Sequence, residues 1–154
     1  MKTEYITASL QDIECLIDLM RLYYEHDEIQ FDECIARQNA LELLKSDKNG
    51  IALLIQQDNT AIGYIVVTFG FGLEHGSNGT IDEFFILPGY RGQGLGVKTL
   101  NYIESLLAEK GIKAIHTEVE IKNKHGMNFW IKNGYQSTDR KSLTKTIETP
   151  NNPA

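Results

Sequence analysis

The chain has 154 residues, of which only two are cysteine, one is tryptophan and three are proline. Two thiols are too few for a disulfide framework or a cysteine-rich metal site. Cys15 and Cys34 both fall in helix-like segments, which predicts buried, reduced thiols rather than a bridge. No apolar run approaches the roughly 20 residues that cross a bilayer, and Met1-Lys2-Thr3-Glu4 does not lead into the apolar stretch of a secretory signal. The expectation is a cytoplasmic location and no membrane partner. Positive charge is also short: 15 Lys and Arg stand against 21 Asp and Glu, a net charge of −6. That balance argues against nonspecific nucleic-acid binding and is compatible with a cationic substrate. The remainder, 42% hydrophobic and 23% charged, is that of an ordinary globular protein. It predicts one domain over residues 1–148 and a loose tail over 149–154.

Periodicity divides the chain into alternating elements. Residues 3–7 read as a short strand, and Ser9 is placed to cap a helix from Leu10 to about Tyr24, whose apolar stripe is Ile13, Leu16, Ile17, Met20 and Tyr24. A second helix-like stretch runs from Phe31 to Leu44. Ile51–Gln57 and Ala61–Phe71 are β-branched runs joined by Asp58-Asn59-Thr60, a hairpin signal. A glycine-rich loop is expected from Gly70 to Gly79. A strand at 81–87, a helix at 95–110 with Gly111 as C-cap, a strand at 113–120, a short helix at 123–133 and a last strand at 142–147 complete the series. This order predicts an α/β fold with a mixed, mostly antiparallel sheet and helices on both faces. The strands at 81–87 and 113–120, joined through a helix, should be parallel.

Between strand 81–87 and helix 95–110 lies Arg91-Gly92-Gln93-Gly94-Leu95-Gly96. A strand, a glycine-rich turn and a helix start form an anion site from backbone alone, because glycine lets N–H groups approach a phosphate and the helix N-terminus adds partial positive charge. A nucleoside-triphosphate loop fits poorly. Gly92 sits four residues before Gly96 rather than five, and Val97 separates Gly96 from Lys98. A dinucleotide fold requires Gly-x-Gly-x-x-Gly at the opening of a parallel sheet, whereas this chain has Gly-x-Gly-x-Gly after an antiparallel run. A third reading is the pyrophosphate of a pantetheine cofactor.

Arg-x-x-Gly-x-Gly after a strand ending in Leu-Pro-Gly-Tyr resembles the acetyl-CoA signature of the GNAT-type N-acetyltransferases. Asn123-x-x-Gly126-x-x-x-Trp130-x-x-x-Gly134-Tyr135 is similar to a later motif of that family. The resemblance is closest from Ile81 to Tyr135 and weakest before Ile51. It implies that the two parallel strands splay and admit the pantetheine arm, with backbone contacts from Phe85, Ile86 and Leu87. The Ile86 N–H would meet the thioester carbonyl. The N–H groups of Gly92, Gln93, Gly94, Leu95 and Gly96, with Arg91, would hold the pyrophosphate, and Asn123 and Trp130 would contact the cofactor. Acetyl-CoA is the implied cosubstrate, attacked directly by a primary amine of a small molecule or protein in a ternary complex. A homodimer is a further implication.

The amine must lose a proton before it attacks. Strand alternation places Asp82 with Thr80 and Phe84 on one face and Glu83 with Phe85 on the other. The family's usual base position makes Asp82 the first candidate and Glu83 the second. Where relatives carry a tyrosine able to protonate the departing thiolate, this chain has Trp130, whose indole N–H is too weak an acid, so that role does not transfer. The missing tyrosine motivates a rival reading, a non-catalytic acyl-CoA-binding or regulatory module on the same scaffold. Tyr24, Glu28 and Phe31, between the first two helices, and Glu118 are expected to form an aromatic and acidic acceptor rim. His116, Glu118 and Glu120 share one strand face, read as a polar face rather than a metal site, and no metal is expected.

Overall fold

A computed structural model describes residues 1–150. It divides into two compact units, Met1–Glu118 and the chain from Val119 onward.

The first unit is built on a five-stranded sheet in the order β1-β2-β3-β4-β5, with β1 Thr3–Thr7, β2 Gly50–Gln57, β3 Thr60–Gly72, β4 Gly76–Ile86 and β5 Ala114–Thr117. The first four strands are antiparallel neighbours, and β4 and β5 are parallel. β2 is buried from Gly50 to Ile55 with no polar alternation, as expected for a central strand covered on both faces. Asp58 and Asn59 take φ of +47° and +66°, the left-handed pair that closes a two-residue hairpin with the right twist.

Helices α1 (Ile13–His26) and α2 (Glu33–Leu44) cover one face. There Leu16, Ile17, Leu19 and Ala40 share a core with Ala52, Leu54, Tyr64, Val66 and Phe85. Ser9 opens the first of them. Its N–H donates to Asp12 Oδ2 at 2.8 Å, and a 3-10 turn, Leu10–Asp12, precedes α1. Asp32 caps α2 by accepting from the Ile35 N–H at 3.1 Å. Helix α3 (Leu95–Glu109) belongs to the other face, where Leu95 joins Ile55, Ile62 and Ile86. Leu100, Ile103 and Leu107, spaced at three and four residues, are wholly buried. A Cβ added at Gly79 would lie 2.9 Å from the Val67 side chain on β3, so any larger residue here would force Val67 to move. Gly111, with φ +81°, ends α3 as expected.

The second unit holds α4 (Lys124–Lys132). Asn123 caps it, its Oδ1 accepting from the Gly126 N–H at 2.9 Å.

Four expectations require correction. The glycine-rich stretch 70–79 is mostly strand, with Phe71 paired to Ser77 and Gly72 to Gly76, so only residues 73–75 form the turn. Glycine count suggested a loop, but the backbone ladder needs no side chains to continue. Residues 142–147 form no strand. Leu143 and Ile147 are 92% and 72% exposed, and alternation without a ladder partner does not hold a strand. The cysteines are free but not both buried, since Cys34 is exposed and Cys15 partly so. Finally, Asp82 and Glu83 do not follow simple alternation, as described below. Of the expected tail, residues 151–154 lie outside the described residues. Among those described, no helix is long and apolar enough to cross a membrane.

Leu107 carries the α3 face with no exposure at all. Leu107→Ala is expected to lower stability by about 2–5 kcal/mol, read by urea denaturation. A change under ~1 kcal/mol would show that α3 contributes little to the core.

Candidate active site

The site is built around one irregularity in β4. Val66 pairs with Glu83, but the next residue of β3, Val67, pairs with Ile81. Asp82 is therefore an extra residue, a β-bulge, and alternation resets there. The bulge turns both acids toward one cavity of about 440 Å³ between α1, α2 and the sheet, lined among others by Tyr24, Phe31, Val66, Thr68, Asp82 and Glu83. The expectation that Asp82 and Glu83 occupy opposite faces is thereby overturned.

Glu83 is half-buried, and both of its oxygens accept a hydrogen bond. The Tyr64 hydroxyl donates to its Oε1 at 2.9 Å, and the Tyr24 hydroxyl donates to its Oε2. Burial pushes the Glu83 carboxyl above the usual range, the two phenols oppose that shift, and the charge of Asp82 adds to it. Burial also raises both phenols, with the Glu83 interaction next. Tyr23, beside them, is pushed up to about 12 by burial and then by the charges of Asp27, Glu83 and Asp82. The rings hold one another. Tyr23 lies edge-on to Tyr24 at 5.4 Å and to Phe85 at 5.5 Å, and Tyr24 is edge-on to Phe31 at 5.2 Å.

Asp82 differs. Its side chain is open to the cavity and to solvent. The surrounding walls still raise its pKa, chiefly by desolvation and then by the negative charge of Glu118. A carboxylate made more basic and left accessible is suited to accept a proton.

Beside the acids β4 presents an open edge. Its parallel pairing with β5 ends at Ile81–Thr117, while β4 continues to Ile86. The Leu87 N–H donates to Ile62 O at 2.8 Å. By antiparallel alternation, the N–H and C=O of Phe84 and Ile86 then point away from β3. One of these groups is already in use: Arg91 Nε donates to Ile86 O at 2.7 Å, with the guanidinium 5.4 Å from the Phe85 ring centre and Nη1 3.4 Å from His26 Nε2. Arg91 thus lies along the strand edge instead of reaching the glycine turn.

The glycine turn follows. Backbone bonding stops at Arg91 N–H to Pro88 O, 3.2 Å, and resumes at Lys98 N–H to Gly94 O, 3.1 Å. Between them the N–H groups of residues 92–97 have no backbone acceptor among the described residues. Gly92 and Gly94 sit at φ +78° and +75°, where a side chain is strained. This is an anion cradle at a helix N-terminus, with donors a pyrophosphate would satisfy.

Of the other expected residues, Phe85 has its ring in the core between α1 and the sheet, while Ile86 and Leu95 are buried on the α3 face. Leu87 is partly buried, and Gln93 is exposed in the turn. Glu28 lies outside the cavity lining, at φ +56° in the turn after α1. In the second unit Asn123 is the α4 cap, and Trp130 stacks edge-on to Phe129 at 5.2 Å and to Tyr135 at 4.9 Å. Among the described residues, no three His, Cys, Asp or Glu side chains are grouped to hold a metal. Sequence reasoning missed Tyr64. The available signal was a hydroxyl in the middle of the apolar run Ala61–Phe71, since a buried phenol requires an acceptor.

The family model for the acetyltransferase (GNAT) family matches residues 14–135. An uncharacterized N-acetyltransferase of Archaeoglobus fulgidus is 28% identical over 126 residues, 77% of this chain and 85% of that protein. Thialysine N-epsilon-acetyltransferase of Mus musculus is 27% identical over 74 residues, 48% of this chain and 44% of the mouse protein, so that match spans about half of each. Among solved structures, an integron cassette protein from the mobile metagenome of Cole Harbour Salt Marsh superposes with a TM-score of 0.83 and 27% identity, covering 95% of this chain and 91% of that one.

If the glycine turn holds the pyrophosphate, Gly94→Ala should weaken CoA binding. A Cβ there meets nothing within 4 Å, so the cost is conformational, about 1–2 kcal/mol, or roughly tenfold in affinity by calorimetry. Unchanged affinity would remove the turn from the cofactor site.

Proposed function

The chain belongs to the acetyltransferase (GNAT) family, an acetyl-CoA-dependent N-acetyltransferase, and from that premise we propose that it acetylates a small primary amine bound in the cavity between α1, α2 and β4, with Asp82 as general base. The observation that carries this reading is the bulge, which brings the more basic, accessible carboxylate to the cavity beside the open edge of β4.

Acetyl-CoA supplies the activated acetyl group. The residues present fit it in two places. The open edge of β4 offers the outward backbone groups of Phe84 and Ile86 to a pantetheine arm, and the turn at 92–97 offers six N–H donors at the head of α3 to a pyrophosphate. Arg91, now bonded to Ile86 O, is close enough in sequence to serve either place.

The remaining steps belong to the chain's own side chains. An alkyl ammonium is not a nucleophile, and Asp82 takes its proton directly or through one water. Glu83, its oxygens already accepting from Tyr24 and Tyr64, holds a fixed position at the amine end of the cavity. The free amine attacks the thioester carbonyl, the C–N bond forms as the C–S bond breaks, and the nitrogen's second proton offsets the charge on the departing thiolate. The outward Ile86 N–H is suited to the oxygen that gains charge during attack. No dedicated acid is assigned. Trp130 cannot serve as one, because an indole N–H does not ionise in this range.

Two measurements test the roles. Asp82→Asn is expected to lower kcat by about a hundredfold or more, in a variant that still binds CoA. Near-normal turnover across pH would remove Asp82 as the base. Glu118→Gln removes a negative charge that disfavours ionised Asp82, so the base form survives to lower pH. The acid limb of kcat/KM should move to lower pH, and no shift, or a shift upward, would contradict the coupling.

A further inference from the structure

The cavity has walls of three kinds. At one end stand Asp82, Glu83 and Tyr24, with Asp32 at the head of α2. The middle is apolar, formed by Leu16, Met20, Ala36 and Val66. The other end is polar: Asn39, Asn49 and Thr68, with Glu42 one turn past Asn39 on α2 and held by Lys45. The order along the cavity follows from register. Val66 pairs with Glu83, and Thr68 is two residues further along β3, about 7 Å away, opposite Gly50 and so beside Asn49. On α2, Asn39 lies seven residues past Asp32, roughly 10 Å along the axis.

Charge is distributed unevenly over this surface. No Lys, Arg or His lines the cavity among the described residues. The fourth lining acid, Glu42, is already paired with Lys45 at 2.9 Å. The nearby cations are committed elsewhere, Arg37 to Glu14 at 2.5 Å, and Arg21 to Asp18 at 2.8 Å and to Glu33. An acceptor whose tail carried a carboxylate or phosphonate would set that anion beside Glu42 and about 7 Å from the Asp82–Glu83 end, where the neighbouring cation, Lys45, is already paired with Glu42. Exclusion by an unpaired like charge is as effective a source of specificity as a new attraction.

We propose that the acceptor is a slender aliphatic primary amine without any anionic group, its ammonium at Asp82, its methylenes along Leu16, Met20, Ala36 and Val66, and an uncharged polar tail at Asn39, Asn49 and Thr68. This rests on the N-acetyltransferase reading of the same cavity and narrows it.

The test is thiol release from acetyl-CoA with two acceptors of equal length, 5-aminopentanol and 5-aminopentanoate, using the full chain. The alcohol is expected to have a kcat/KM at least tenfold higher, the scale of one like-charge contact at about 7 Å in a partly screened site. Asn39→Arg, on an exposed helix position where folding is not at stake, should raise kcat/KM for the carboxylate relative to the alcohol by about tenfold. Equal or better use of the carboxylate by the unaltered protein overturns the proposal, and an unchanged ratio in Asn39→Arg contradicts the placement of the tail. Failure with both acceptors overturns it as well. Thiol release with any other amine would then leave the N-acetyltransferase reading standing, and release with none across a broad amine panel would overturn both.

Discussion

One extra residue in β4 organises the candidate site. Where Val66 and Val67 face Glu83 and Ile81, Asp82 has no partner of its own, and the strand turns its two carboxylates to the same side. A regular strand would have put one of them against α3 and away from the cavity. The same stretch of β4 is where the parallel pairing with β5 stops, at Ile81–Thr117. Bulges bend strands and end ladders, so the reoriented acid and the unpaired edge lie side by side in one short segment, Asp82–Ile86. An amine and a thioester can meet where one element supplies both a proton acceptor and free backbone donors.

The two acids differ because their surroundings differ. Glu83 accepts from two phenols that are themselves fixed by edge-on packing with Tyr23, Phe31 and Phe85. Each of its oxygens accepts one of these bonds, and its position is set. Asp82 lacks such partners and is raised by desolvation and by Glu118. One carboxylate is thereby rigid and hydrogen-bonded, the other accessible and more basic than an ordinary aspartate. The aromatic cluster extends across α1, β3 and β4, so the geometry of the two carboxylates depends on the hydrophobic core on the α1–α2 face.

Much of this was legible in the sequence. The glycine turn, the helix it opens and the parallel crossover could be placed from Gly92, Gly94 and Gly111, because positive φ and helix caps have strong local preferences. Tyr24, Phe31, Asp82 and Glu83 could be named from their types and positions. Three features could not. The bulge depends on which residues of β3 face β4, a matter of register that period-two alternation within one strand does not encode. Tyr64 is a core residue by pattern and a functional one only through its contact with Glu83, nineteen residues away. The continuation of the ladder through Gly70 and Gly79, and the absence of a strand at 142–147, both turn on whether a partner strand is available, which local composition does not report. The motif does not reveal that the Arg91 side chain bonds to Ile86 O.

The most direct test of the account is a crystal structure with a bisubstrate analogue in which CoA is joined to a five-carbon amine. The account predicts pantetheine amides bonded to the outward backbone groups of Phe84 and Ile86, the pyrophosphate on the N–H groups of residues 92–97, and the acceptor nitrogen within hydrogen-bond reach of Asp82, directly or through one water. Density for the amine on the α3 face of the sheet, or a pantetheine arm that does not follow the edge of β4, would contradict it.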